Sequence, residues 1–272
     1  MRVLVVGAGF AGKHHAEAWR SLGHDVRFLD PFVESDYSSM REALDDYNPD
    51  AVDFCDPPAS RLNYLLKYQD ELEGREIYVE KPPCMPRVEA TSSYEYLAEC
   101  LKITPIHNYL FIDEIPRELP LEIVILRNGP HQGWYMDPCL TGGGILLDHG
   151  YHWLYIAHSE GLKLSSVNVW LDAFPDRTCI ISSDAFTLYA TWNSPLRLTV
   201  INKKVCELRL KDKLVRSFAE NFQLSGKERR RLRHQSIELM WFLSGVYSEY
   251  EFWRRDEDGG RSSGNSGNAG GR

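Results

Sequence analysis

The fold is narrowed most at the N-terminus, where a continuous apolar run, Arg2-Val3-Leu4-Val5-Val6, passes directly into Gly7-Ala8-Gly9-Phe10-Ala11-Gly12. Such a run suits a strand buried on both faces, as in a parallel sheet. A helical pattern follows from about Ala11 to Leu22, with Ala16, Trp19 and Leu22 inward and Gly23 as the stop. GxGxxG between a strand and a helix lets a pyrophosphate approach the unpaired amides at the helix N-terminus. Gly7, Gly9, Phe10, Ala11 and Gly12 are therefore candidate dinucleotide contacts.

The second strand, Asp25 to Leu29, ends in Asp30, about 18 residues after Gly12. At that spacing a carboxylate accepts hydrogen bonds from the adenosine ribose hydroxyls; the alternative is an ordinary turn residue before Pro31. No arginine stands beside Asp30 to neutralise a 2'-phosphate, so NAD is expected over NADP. Strands and helices then alternate: helix Ser39 to Tyr47, strand Ala51 to Cys55, helix Ser60 to Leu72, strand Glu76 to Val79, helix Arg87 to Leu101 and strand Ile103 to Ile106. The alternation predicts an α/β fold with a doubly wound parallel sheet whose ligands sit beyond the carboxyl ends of the strands. Asp56, Pro57, Glu80 and Lys81 follow such ends and share a rim with Gly7 and Asp30. Lys81 could also be solvated or paired with Glu80, although Pro82 and Pro83 stiffen the backbone that aims it.

A second unusual stretch is Thr141-Gly142-Gly143-Gly144-Ile145-Leu146-Leu147-Asp148-His149-Gly150-Tyr151-His152-Trp153. Its glycines allow close approach of another group. A helix starting near Gly144 places Asp148 and His152 on one face, an acid beside a base. A tight turn leading into a core helix, with the histidine tied to the aspartate, is the structural alternative. A metal held by Asp148, His149 and His152 is a third reading, but the His/Cys spacing usual for zinc is missing, and no metal is assigned.

Composition excludes several classes. The chain has 272 residues, 43% of them hydrophobic, enough for two domains. No apolar run approaches a membrane span and the first residues do not resemble a leader, so a cytoplasmic protein without a membrane partner is expected. The six cysteines are scattered without a CxxC pair and read as reduced. A formal charge of -8 argues against nucleic acid as a partner. The basic run from Lys227 to His234 reads as a solvated helix face, with an anion-binding role as the alternative.

Taken together, these residues resemble the Gfo/Idh/MocA oxidoreductases, a family that includes glucose-fructose oxidoreductase and inositol dehydrogenase. The resemblance runs from Arg2 to about Trp170. Gly7 to Gly12 with His15 is shared by many dinucleotide folds, whereas Glu80-Lys81-Pro82 is more specific, and Gly142-Gly143-Gly144 with Asp148, Gly150 and His152 matches a second signature, GGGxxxDxGxH. The resemblance implies a Rossmann domain followed by an α/β domain with an open, mostly antiparallel sheet that carries homo-oligomer contacts. It also implies that Lys81 orients substrate and cofactor while Asp148 and His152 handle the proton. Asn108 is added to the substrate contacts. Departures are Tyr155 where an acid is frequent, Leu110 where an arginine is frequent, and a shortened second region; they bear on substrate and oligomer.

In the second half, strands are expected at Leu121 to Leu126, Val167 to Leu171, Ala185 to Thr191, Leu196 to Ile201 and Val205 to Leu210, and a helix at about Lys227 to Trp253. The loop His131 to Pro138, with Trp134, offers an aromatic floor to a substrate or else a packed aromatic cluster. Residues 1–114 thus form the dinucleotide domain, 115–255 the substrate and oligomer domain, and 256–272 a disordered tail of Gly, Ser, Asn and charge. The expected activity is hydride transfer between a secondary alcohol of a sugar, cyclitol or related polyol and NAD. Two alternatives are a non-catalytic nucleotide-binding regulator of the same fold and an NAD-using glycosidase.

Overall fold

The computed structural model describes residues 1–107, 109, 111, 112, 115, 116, 118–130, 137–206 and 211–259. Five strands form the first sheet: β1 (Arg2–Val6), β2 (Asp25–Leu29), β3 (Ala51–Phe54), β4 (Glu76–Val79) and β5 (Thr104–Pro105). All pair in parallel, in the order β2-β1-β3-β4-β5. Each connection crosses over by helix: α1 (Phe10–Ser21), α2 (Met40–Asp46), α3 (Pro58–Lys67) with the short α4 (Gln69–Leu72), and α5 (Val88–Cys100). The helix expected from Ser60 to Leu72 is thus two pieces, broken at Tyr68. Strand order reverses at β1, so the crevice where such sheets bind ligands lies beyond the ends of β1 and β3.

The second sheet has six strands: β6 (Leu121–Asn128), β7 (Asn168–Leu171), β8 (Thr178–Ser182), β9 (Phe186–Thr191), β10 (Asn193–Ile201) and β11 (Lys204–Val205). Their order is β11-β10-β6-β9-β8-β7, with one parallel pair, β6 with β9, and the rest antiparallel. Leu121, Ile123 and Ile125 of β6, Leu188 and Ala190 of β9, and Cys179 and Ile181 of β8 alternate onto the buried face. Of the strand expected at Val205 to Leu210, Val205 closes β11, and residues 207–210 lie outside the described residues.

Between β6 and β7 the chain forms α6 (Pro138–Thr141), a π-helical turn (Leu146–Gly150) and α7 (Tyr151–Ser159). Two helices close the described chain, α8 (Lys211–Phe222) and α9 (Gly226–Gly259). Helix α8 packs on α1, with Phe222 stacked on Trp19 at 3.7 Å. Helix α9 straps both sheets: Arg229 meets Glu76 at 2.9 Å, Arg233 donates to the Ile103 carbonyl, and Tyr247 donates to Asp176. It also runs beyond the Trp253 expected from sequence, to Gly259. Among the described residues no helix is long and apolar enough to cross a membrane.

Candidate active site

The turn after β1 sits at the switch point. Gly7 donates to the Leu29 carbonyl at 2.8 Å with φ of 96°, and a Cβ there would lie 2.9 Å from the Asp56 backbone nitrogen. Gly12 is needed for packing too, because its Cβ would fall 1.9 Å from the Gly7 carbonyl oxygen. Gly9 differs: a Cβ there meets nothing within 4 Å. Gly9 is the N-cap of α1, which has no side-chain cap and no acid in its first turn, so an anion meets no competing group there. Phe10 is exposed beside it and rests on His14 at 4.4 Å, while Ala11 is half-buried.

Asp30 is fixed by two backbone amides, Ala8 N to Oδ2 at 2.8 Å and Phe32 N to Oδ1 at 2.9 Å. A carboxylate accepts about four hydrogen bonds, so capacity remains for a ribose. Across the crevice Asp56 is buried, accepts from Ser60 Oγ at 2.6 Å, and has its carboxyl pushed up to about 6 by burial against the opposing pull of Arg61 and Ser60. Pro57 immediately precedes α3, as its N-cap.

Sequence reasoning misses Arg61. Its guanidinium, almost fully buried, donates to the carbonyls of Asp56, Glu80 and Pro82, pinning the ends of β3 and β4 together. The available signal is a cation one helical turn before buried Leu65, on the face of α3 that packs inward. With the backbone held on both sides, Lys81 reaches the second signature. Its Nζ donates to the Asp148 carbonyl at 2.7 Å and lies 3.7 Å from Asp148 Oδ1, with both side chains buried.

The three glycines of that signature pack against the protein itself. A Cβ at Gly142 would lie 2.6 Å from Pro86 Cδ, one at Gly143 2.5 Å from the Tyr247 hydroxyl, and one at Gly144 1.8 Å from the Asp176 carbonyl oxygen. The group they admit is therefore the neighbouring chain, namely the loop after Lys81, helix α9 and the loop before β8. Asp176, also missed, caps the helix start from outside: its carboxylate accepts from the amides of Gly144 and Leu146, each at 2.8 Å, and from the Tyr247 hydroxyl. Burial pushes its carboxyl up to about 6 even against those donors. Nothing in the sequence marks this aspartate, which is supplied from the loop before β8.

Asp148 and His149 lie in the π-helical turn rather than the regular α-helix expected; such turns are frequent at functional sites. His149 Nε2 lies 3.4 Å from Asp148 Oδ2. His152 follows in α7, buried, its ring 4.4 Å from that of Tyr109. Burial, with Asp148 adding to the shift, pushes the Tyr109 phenol up to about 12, so it keeps its proton at neutral pH. Lys81, Asp148 and His152 thus stand where the two layers meet. Asn108 and Trp134 lie outside the described residues.

No family model and no curated protein matches the chain. Solved structures do. GenD2 from gentamicin A biosynthesis, in complex with NAD, aligns over 95% of this chain and 95% of its own, with a TM-score of 0.65 and 16% identity. This chain has the fold of an NAD-binding dehydrogenase. The WlbA dehydrogenase from Bordetella pertussis, in complex with NADH and UDP-GlcNAcA, aligns over 95% and 96% with a TM-score of 0.66 and 13% identity. Levoglucosan dehydrogenase with NADH and L-sorbose aligns over 74% and 69%, TM-score 0.56, 17% identity.

Proposed function

We propose that the chain is an NAD-dependent oxidoreductase of the Gfo/Idh/MocA type, acting on a secondary alcohol of a sugar, cyclitol or related polyol. The observation that carries this reading is the reach of Lys81, from the rim of the dinucleotide crevice, to Asp148 of the second signature. The residues present fit the cofactor: Gly9 is exposed with open space where a Cβ would stand, the first turn of α1 has no side-chain cap and no acid, and Asp30 is already oriented. When bound, nicotinamide accepts the hydride. The neighbours' complexes with NAD or NADH and with a sugar or nucleotide sugar support the same class of chemistry.

His152 serves as the base, imidazole being the side chain best suited to exchanging a proton near neutrality. Lys81 donates a hydrogen bond to the reacting oxygen and stabilises its developing negative charge. Asp148 holds the Lys81 ammonium in place. Asn108 and Trp134 complete the substrate contacts in this reading. The test is a panel of polyols, sugars and nucleotide sugars with NAD, following absorbance of the reduced cofactor. Stoichiometric accumulation of NADH is expected; substrate cleavage without net reduction favours the glycosidase, and an inert protein that still binds NAD favours the regulator.

We place the protein in the cytoplasm, in keeping with six free thiols, and assign it a homo-oligomer built through the second sheet. That sheet's outer face carries a cross-strand row, Trp170, Ile180, Tyr189, Val124, Val200 and Val205, one residue from each strand in register. Trp170, Ile180, Tyr189 and Val205 are exposed. Such a contiguous apolar row suits a second copy of itself.

A further inference from the structure

The centre of the first sheet holds a carboxylate that the catalytic reading does not use. Asp53 lies in β3 between Val52 and Phe54, paired in register with Val5 of β1 and Tyr78 of β4, and is fully buried. A carboxylate in that position is unfavourable unless charge and hydrogen bonds compensate it. Its Oδ2 accepts from two side chains of α1, His15 Nδ1 at 2.9 Å and Trp19 Nε1 at 2.8 Å. The other ring nitrogen of His15 points the opposite way, with Nε2 3.9 Å from Glu80 Oε1. Glu80 is itself buried and immediately precedes Lys81.

The groups facing His15 are Asp53 from β3, Cys55 just after it and Glu80 after β4, while α8 presents the rings of Phe218 at 4.0 Å and Phe222 at 5.7 Å. Those phenylalanines exclude water from the pair. Burial opposes a charge on the imidazole, yet its proton affinity is held well above the ordinary value, chiefly by the Asp53 carboxylate. Burial pushes the Cys55 thiol up to about 12, so it stays protonated and leaves Asp53 as the balancing charge. His15, Asp53 and Cys55 also present ligand atoms within 4.8 Å of one another. His15 Nδ1 is already committed to Asp53 there, at 2.9 Å.

We propose that Asp53, His15 and Glu80 form a buried positioning row, in which a positively charged His15 holds Glu80, and with it the loop that presents Lys81, against the pyrophosphate helix α1. The inference rests on the dehydrogenase reading, because it treats that loop as part of the cofactor cradle. Arg61 fixes the loop's backbone carbonyls on either side of Lys81, and His15 Nε2, which makes no hydrogen bond, lies 3.9 Å from the carboxylate of the residue before it, close enough for a charge on the ring to attract it. A neutral side chain at His15 leaves two buried carboxylates with one fewer cation between them, and the loop then shifts to relieve the repulsion.

The test compares wild type, His15→Gln and His15→Lys, each checked for folding by its melting transition, in NADH titrations followed by fluorescence from mildly acidic to alkaline pH. The wild-type Kd is expected to hold through neutrality and to rise at alkaline pH as the imidazolium is lost. His15→Gln should raise the neutral Kd about tenfold and flatten the profile, and His15→Lys, which keeps the charge, should recover most of the loss. A His15→Gln protein with wild-type Kd and profile overturns the proposal, as does a folded His15→Lys protein as weak as His15→Gln. Should the variants not fold, nitrogen chemical shifts of His15 in the wild type decide: a protonated ring at neutral pH is expected, and a neutral ring overturns the proposal. A wild type that binds no NADH overturns the dehydrogenase reading and this inference with it.

Discussion

In the turn after β1 a Cβ added at Gly9 meets nothing within 4 Å, whereas one added at Gly144 falls 1.8 Å from the Asp176 carbonyl oxygen. Both stretches are glycine-rich and both precede a helix. One keeps space open in front of unpaired amides, as an anion requires; the other lets two layers of the protein approach so closely that no side chain fits. Glycine clustering alone does not identify a ligand site. Space around the absent Cβ does not do so either, since Gly23 and Gly74 are equally open; the setting between β1 and an uncapped helix is what distinguishes Gly9.

The largest effect expected from this difference is on stability. Gly144→Ala places a methyl against backbone, which cannot rotate away, so unfolding free energy should fall by about 3 kcal/mol or more, or the chain should fail to fold. Denaturant unfolding of the purified variant measures it; a loss below about 1 kcal/mol would mean that the two layers are not in such contact.

Next in size is the chemistry that this close docking makes possible. Lys81→Ala and His152→Ala should each lower turnover about 100-fold or more on a substrate found in the panel, with NAD affinity little changed in His152→Ala. Near-wild-type turnover at saturating NAD in either protein removes that residue from its role.

The open turn predicts a discrimination between cofactors. Asp30, locked by the amides of Ala8 and Phe32, cannot swing away from a 2'-phosphate, so NADH should bind more tightly than NADPH by about 1 to 3 kcal/mol. Parallel fluorescence titrations compare them, and equal affinities contradict the assignment of Asp30.

A smaller effect belongs to the seam that docks the signature helix. His107 stacks on Tyr155 of α7 at 3.3 Å, and burial lowers its pKa to about 3. A folded-state value below the unfolded 6.5 means the unfolded chain takes up the proton first, so this contribution to stability is complete above 6.5 and is lost as pH falls. His107→Gln should therefore be more stable relative to wild type at pH 5.5 than at pH 7.5, by about 1 kcal/mol. No change in that difference with pH places the ring in a wetter environment than the stacking indicates.

The first layer was the more legible of the two because its signals are local. Alternating runs mark each strand, and Gly7, Asp30, Asp56 and Lys81 follow strand ends that the topology then brings to one rim. The second layer depends on contacts far apart in sequence. Asp176 caps the Gly144 turn from the loop before β8, and only the packed structure shows what fills the three glycines. The π-helical turn at Leu146–Gly150 leaves no mark on the apolar period. Helix α8 was readable in principle, since Leu214, Phe218 and Phe222 recur every four residues and are buried. Its partners, His15 and Trp19 on α1, were not, because no local pattern links residues some 200 positions apart.

The most direct measurement is an NADH titration of wild type beside Gly9→Ala, with melting curves for both. Because a methyl at Gly9 touches no protein atom, the melting temperature should hardly change, while NADH affinity should fall about tenfold or more as the methyl enters the pyrophosphate's space. Unchanged affinity in the folded variant, or no NADH binding by the wild type, would contradict the claim that the turn after β1 is a dinucleotide cradle.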